Sequence, residues 1–124
     1  MLRNEKGFTL IEIIAVLVIL GILAAVAIPR YISILEQSRI SSAQGAIAEV
    51  KARASGFYAT LLLRNGAVPA AASVLASVTA TPDVGPDFGV GAAASGSDIL
   101  VTVSTVKTTA ITAQTGLWTF PTAN

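Results

Sequence analysis

The chain of 124 residues is long enough for one small domain with an appended segment. Its formal net charge of +1 gives no electrostatic basis for nucleic-acid binding, so no nucleic-acid partner is predicted. The chain has no cysteine, which excludes disulfides, and no histidine, which removes the commonest general base and metal ligand. These absences argue against an enzyme, and we expect no catalytic residues, no metal ligands and no cofactor.

The first element is an apolar run of 21 residues from Phe8 to Ile28, in which only Thr9 and Glu12 are polar. As a helix with about 1.5 Å rise per residue, this run would span roughly 30 Å, the thickness of a bilayer's hydrocarbon core. Arg3 and Lys6 precede the run, and basic residues before a span predict that the N-terminus stays in the cytoplasm. We therefore predict a single membrane-spanning helix.

Glu12 distinguishes this run from an ordinary apolar segment. A secretory signal peptide would share the basic start and the apolar core, with Ala25-Val26-Ala27 as its cleavage site, and a plain membrane anchor would share the length. Neither interpretation explains Glu12, since a carboxylate in an apolar span costs about 2.5–3.5 kcal/mol at mid-membrane, and less near the interface. Its nearest candidate partner is an α-amino group, which a cut after Gly7 would create.

The motif around that cut carries a family resemblance. Residues 6–12, with the sequence KGFTLIE, resemble the prepilin signature of type IV pilins and type II secretion pseudopilins. The resemblance is close from Met1 to about Tyr31 and loose beyond. It implies that residues 1–7 are a leader, that Gly7 is its last residue, and that a membrane-embedded prepilin peptidase cuts there.

The same resemblance implies roles for four further residues. Phe8 would become the new N-terminus and be N-methylated by the same enzyme, and Glu12 would neutralise the Phe8 amine of an adjacent subunit. Gly21 and Pro29 would bracket a helical segment that loosens on assembly. Helix physics supports this bracket independently, because proline lacks an N–H and glycine lowers helix propensity by about 1 kcal/mol relative to alanine.

The resemblance places the membrane and assembly helix at residues 8–29, and beyond it apolar or small residues recur in steps of three and four. This spacing predicts an amphipathic helix over residues 30–64, with Asn65 and Gly66 as the stop signal. The C-terminal half of the helix would pack against the head through one stripe of apolar and small residues. The stripe consists of Ile40, Ala43, Ile47, Val50, Ala54, Phe57 and Leu61.

Residues 65–124 are rich in small residues, and we expect them to form a small globular head. Pro69 would occupy the first turn of a short helix that ends near Ser77. The Gly- and Pro-rich stretches that follow, including VGPDFGVG and GAAASGS, predict turns and flexible loops. Asp83 and Asp87 lie in this region, where they are better explained as turn formers than as calcium ligands.

Three β-like runs close the chain and predict a three-stranded antiparallel meander that lies across the helix stripe. Trp118 and Phe120 alternate onto one face, as core anchors or head-to-head contacts. The predicted strands are residues 99–104, 109–114 and 117–120, with Gly116 in the second turn.

The predicted fold class is α+β, with a long N-terminal helix and a small head that contains a three-stranded antiparallel sheet. The predicted function is that of a structural subunit of a type IV pilus, which polymerises with its own copies through the N-terminal helices. The resemblance implies insertion in the inner membrane as a precursor, contact there with lipid and the assembly machinery, and a final place in an extracellular pilus. The alternatives are a type II secretion pseudopilin and, less favoured, a secreted binding or enzymatic domain with a cleaved signal peptide.

Overall fold

The computed structural model describes residues 7–80 and 84–121. Arg3, Lys6 and Asp83 lie outside the described residues. The elements in chain order are α1 (Leu10–Asn65), α2 (Ala71–Ala80), β1 (Phe88–Ser95), β2 (Asp98–Val106) and β3 (Thr109–Trp118).

The chain divides into two compact units, and the first ends at Leu35. In the described residues this unit consists of the N-terminal part of α1, which begins at Leu10 and continues through Pro29. No residue of its most apolar 18-residue window is buried. By length and composition, this helix is able to cross a membrane.

The second unit begins at Glu36 and is built on the C-terminal part of α1. The predicted stripe is confirmed, because all of its members are buried or half-buried, and those from Ala43 to Leu61 pack in one core with the sheet and α2. The buried members are Ala43, Ile47, Val50 and Ala54, joined by Ala46, and the half-buried members are Ile40, Phe57 and Leu61.

The end of α1 falls at Asn65, beside the predicted stop signal. Gly66 has a φ of +65°, a left-handed conformation that glycine adopts without a Cβ clash. Its N–H donates to the Leu62 carbonyl at 2.9 Å, so one of the unpaired carbonyls at the helix end is satisfied.

The short helix predicted after Pro69 is present as α2, but it starts and ends later than expected. The Ala70 carbonyl accepts the first helical bond, from the Ser73 N–H at 2.9 Å, so Pro69 precedes the helix instead of occupying its first turn. The helix buries Val74 and Val78 against the core.

The strands form one antiparallel sheet in the order β1-β2-β3, which confirms the predicted three-stranded sheet. Ile99, Val101 and Val103 of the central strand are each at most 1% exposed. The register places Ala94 of β1 and Trp118 of β3 on either side of Ile99. This alternation turns one face of the sheet to the core.

The position of the first strand corrects the sequence prediction. Residues 88–95 are predicted as flexible loop, and this is wrong, because they form β1. Five of the eight residues are Gly or Ala, which have low β-propensity and so conceal the strand. The strand exists through its pairing with β2, which runs from Phe88–Val106 to Ser95–Asp98.

The last strand corrects the prediction in a second way. The two short runs predicted there form the single strand β3, with no turn at Gly116. A Cβ at Gly116 would collide with Cγ2 of Ile47 on α1. This glycine therefore allows the strand and the helix to approach closely.

An aromatic cluster closes the core, and it confirms Trp118 and Phe120 as core anchors. Their rings contact the Tyr58 ring of α1, with centroids 5.3 to 6.2 Å apart among the three. Trp118 Nε1–H donates to Ser55 Oγ at 3.0 Å, and the Phe120 N–H donates to the Asp98 carboxylate at 2.9 Å. These bonds fasten the end of β3 to α1 and β2.

The turn between β2 and β3 is unusual in composition. It consists of Lys107 and Thr108, whose φ values are +49° and +61°. A left-handed backbone is unfavourable for residues with a Cβ, and most of all for β-branched residues such as threonine. The turn is nevertheless tight, because Val106 pairs directly with Thr109.

Candidate assembly site at the start of the first helix

The first helix begins at a hydrogen-bonded pair of residues, Thr9 and Glu12. Thr9 precedes the first helical residue, Leu10, so it occupies the N-cap position and Glu12 the third helical position. Threonine followed three residues later by glutamate forms a capping box, in which each side chain bonds the other residue's backbone N–H. This spacing is a local reason for the helix to start here.

The geometry of the pair is reciprocal. Glu12 Oε2 accepts one hydrogen bond from the Thr9 backbone N–H and one from the Thr9 hydroxyl, both at 2.8 Å. In return, the Glu12 N–H lies 3.4 Å from Thr9 Oγ1 and 3.1 Å from the Thr9 carbonyl oxygen. No donor among residues 7–80 and 84–121 bonds the other carboxylate oxygen, Oε1.

These bonds give Glu12 a partner that was not predicted from the sequence. The predicted partner was a cation, the α-ammonium at a new chain terminus. The structure supplies two neutral donors from Thr9 instead. Thr-x-x-Glu before an apolar run was the sequence signal that could have revealed them. Hydrogen bonds lower the cost of a carboxylate in apolar surroundings, but they leave its charge uncompensated.

The predicted cleavage bond lies just before this pair. Gly7 and Phe8 are both exposed, and Phe8 is 86% exposed. Residues 7–9 have no regular secondary structure, so helical hydrogen bonding does not protect this bond. The bond is therefore accessible to an enzyme, while its cleavage and the methylation of Phe8 stay predictions.

The helix that follows is apolar on all sides. From Ile13 to Ile28 the large apolar side chains are 48–65% exposed, and Glu12 is the only charged residue from Phe8 to Pro29. A helix with this pattern needs apolar surroundings over its whole circumference. A bilayer provides them, and so does a bundle of similar helices.

Gly21 and Pro29 lie in the same helix and are not brought next to Glu12. The helix is continuous through both residues. A Cβ added at Gly21 would meet nothing within 4 Å, so no close contact within the chain requires a glycine there. Their predicted loosening on assembly is untested by this geometry.

Metal binding finds no support in the part of the chain that the structure describes. Residues 7–80 and 84–121 contain no group of three or more acidic, cysteine or histidine side chains that could hold an ion. Asp87 is exposed in the loop before β1.

Comparison with known proteins bears most strongly on the N-terminal segment. The family model of the prokaryotic N-terminal methylation motif matches residues 2–28. The type II secretion system core protein G of Pseudomonas aeruginosa is 48% identical over 50 residues, which are 40% of this chain and 35% of that protein. The N-terminal segment of the chain is therefore similar to that of proteins named as type IV pilus and type II secretion subunits.

Two further relatives of this chain are named as pilus subunits. The type IV narrow pilus major component PilA5 of Thermus thermophilus is 34% identical over 74 residues, 60% of each chain. The type IV major fimbrial protein FimA of Dichelobacter nodosus is 54% identical over 37 residues, 30% of this chain and 24% of that protein. The chain thus spans between about a quarter and three fifths of these relatives. No solved structure matches it.

Proposed function

We propose that this chain is a structural subunit of a type IV pilus. It is inserted in the inner membrane as a prepilin, cleaved after Gly7, N-methylated at Phe8 and polymerised by packing of its N-terminal helices. The observation that carries the proposal is the start of α1, where an apolar helix exposed on all sides begins at a single hydrogen-bonded carboxylate. The relatives are named as pilus and secretion components, which supports a structural role over an enzymatic one.

The apolar surface alone does not explain why helices would leave a bilayer for a filament. Lipid tails are as apolar as leucine side chains, so transfer from lipid to a helix bundle gains little from the hydrophobic effect. The free energy that favours the filament over the bilayer must therefore come from packing contacts and polar pairing. Glu12 is the only charged side chain from Phe8 to Pro29, so its free energy depends more strongly on the change of surroundings than that of any apolar neighbour.

In the filament, the Glu12 carboxylate pairs with the α-ammonium of Phe8 in an adjacent subunit. Before cleavage the Phe8 nitrogen is a neutral amide, and after cleavage it is a cation. A carboxylate costs about 2.5–3.5 kcal/mol at mid-bilayer and less near the start of the span, where Glu12 lies, and a charge-assisted hydrogen bond to an ammonium offsets this cost. The pair therefore makes cleavage a requirement for assembly and sets the axial stagger between neighbours.

Gly21 and Pro29 bracket the part of the helix that loosens on assembly. Pro29 has no N–H for the Ala25 carbonyl, and Gly21 lowers helix propensity by about 1 kcal/mol relative to alanine. In lipid an unpaired backbone group is costly, so the segment stays helical there. Neighbouring subunits in a filament offer new partners, which makes this stretch the weakest part of the helix at the moment of transfer.

The proposed partners follow from this route. Prepilin peptidase processes the precursor, and the inner-membrane assembly machinery extracts the mature subunit from the lipid. Arg3 and Lys6 hold the N-terminus on the cytoplasmic side, as basic residues beside a span do. The final location is an extracellular pilus made of many copies of the chain.

Mass spectrometry of surface filaments tests the proposal. Sheared filaments are expected to contain this chain with a mature N-terminus at methylated Phe8. A strain without prepilin peptidase is the control, and it should retain the uncut chain in the membrane and form no filaments. A mature N-terminus at Ile28 would refute the proposal and establish a secreted domain whose signal peptide ends at Ala27.

A type II secretion pseudopilin is the second candidate, favoured by the 48% identity over 50 residues to core protein G. Both candidates share the N-terminal segment, so the phenotype of a deletion strain separates them. Loss of surface pili with normal protein secretion supports the pilus subunit. Loss of secretion with normal surface pili supports the pseudopilin.

A further inference from the structure

In the capping box at the start of α1, the two oxygens of the Glu12 carboxylate differ in their hydrogen bonds. Oε2 accepts both Thr9 donors at 2.8 Å, and no donor among the described residues bonds Oε1. An ionised carboxylate offers about four acceptor positions over its two oxygens. Oε1 can therefore accept a further donor while the Thr9 bonds remain in place.

The same two bonds restrict the Glu12 side chain. A free glutamate side chain samples several rotamers, and fixing it in one has an entropic cost. Because Oε2 is tied to a residue three positions earlier, the carboxylate is held against the first turn of the helix, toward its N-terminal end. That end is also where the α-amino group of a cleaved subunit lies.

We propose that Thr9 is a positioning residue for filament assembly, because its hydroxyl holds Oε2 so that Oε1 can receive the α-ammonium of a neighbouring subunit. This inference rests on the proposed function, since only a subunit cleaved after Gly7 presents that ammonium. Binding groups that are ordered in advance lose less entropy on association. The Thr9 bonds also give Glu12 a local partner in the bilayer before any neighbour arrives.

The test measures how well variants enter wild-type filaments. Each variant is co-expressed with the wild-type chain, and mass spectrometry compares the variant share of mature Phe8 subunits in the filament with that in the membrane. This ratio is independent of expression and of cleavage efficiency. T9V removes the hydroxyl and keeps the β-branched shape, T9A is a second variant without the hydroxyl, and T9S keeps the hydroxyl.

T9V and T9A are expected to lower the incorporation ratio about fivefold or more, the effect typical of losing an N-cap side chain. T9S should stay within about twofold of the wild type. A T9V subunit that enters filaments like the wild type, or a T9S subunit that enters as poorly as T9V, would overturn the positioning role.

A double variant separates positioning from a general structural effect. E12Q keeps an amide oxygen that can accept the Thr9 bonds, but it has no charge to offer the ammonium. If Thr9 acts through the carboxylate, adding T9V to E12Q causes no further loss of incorporation. If T9V lowers the incorporation ratio by the same factor in the wild-type chain and in the E12Q chain, the inference is contradicted.

The failure of this inference and the failure of the proposed function give different results. If E12Q enters filaments like the wild type, the charge pair itself is wrong and the proposed mechanism fails. If E12Q is excluded from filaments and T9V is not, the charge pair stands and only the positioning role of Thr9 is refuted.

Discussion

The two units of this chain use their apolar residues in opposite ways. From Ile13 to Ile28 the large apolar side chains are 48–65% exposed, whereas Ile99 and Val101 in the second unit are 1% and 0% exposed. The second unit buries its own core, and the first has an apolar surface that only lipid or other helices can cover. Assembly and folding are therefore separable properties, and substitutions in each unit should affect one and spare the other.

The largest expected effect is on assembly, from E12A in the first unit. If Glu12 pairs as proposed, the variant leaves the Phe8 ammonium of the neighbouring subunit unpaired, and losing a hydrogen bond to a charged group costs about 1.5–3 kcal/mol. We expect a filament yield at least roughly tenfold lower, measured by quantifying sheared filaments against mature subunit in the membrane. E36A is the matched control, because Glu36 forms a surface ion pair with Arg39 at 3.7 Å, and such pairs contribute little to stability. Equal filament yields for E12A and E36A would contradict the separation of assembly from folding.

The second effect is on folding, from I99A in the centre of the sheet. Truncating a buried isoleucine to alanine costs about 2–5 kcal/mol. We expect a loss of this size in the free energy of unfolding of the purified subunit in detergent, followed by the fluorescence of Trp118, the chain's single tryptophan. L117A is the control, since Leu117 is 43% exposed on the next strand and should cost much less. An equal cost for both variants would show that the core is not where the structure places it.

The third effect concerns the close approach of β3 to α1. In G116A the added methyl group would meet Ile47, and overpacking of this kind costs about 1–3 kcal/mol. G91A is the control, because a Cβ at Gly91 meets nothing within 4 Å. Denaturant unfolding of the two variants should give the larger loss for G116A. A stability loss for G91A as large as that for G116A would place the tight contact elsewhere.

The smallest effect should be a gain in stability, from T108G in the turn between β2 and β3. Thr108 has a φ of +61°, and relieving a left-handed backbone at a residue with a Cβ gains about 1 kcal/mol. The same change at Thr112, within β3, should lose stability because glycine is unfavourable in a strand. Thermal unfolding checks that T108G gains stability and T112G loses it. A loss of stability for both variants would mean that the turn is not strained.

The helical part of this fold was predictable because its signals are local. The three- and four-residue spacing of the stripe needs no knowledge of the partner, and a glycine after the last helical turn marks the stop. Central β2 was equally readable, since its apolar residues alternate over one buried face. These patterns depend on residues close together in the sequence.

The remaining strands were not predictable from local signals. β1 consists largely of Gly and Ala and is defined by its pairing with β2, while Gly116 was placed in a turn because its role depends on Ile47, distant in the sequence. The site divides in the same way. Glu12 was recognisable as a lone carboxylate in an apolar run, but its predicted partner was a cation and not Thr9, which lies three residues away.

A filament structure at side-chain resolution tests the central claim most directly, through the distance from the Glu12 carboxylate to the Phe8 nitrogen of a neighbouring subunit. The account predicts N-terminal helices packed together, this distance within about 4 Å, and Thr9 still bonded to the other carboxylate oxygen. Helices that face solvent, or a carboxylate directed away from every neighbouring Phe8 nitrogen, would contradict it.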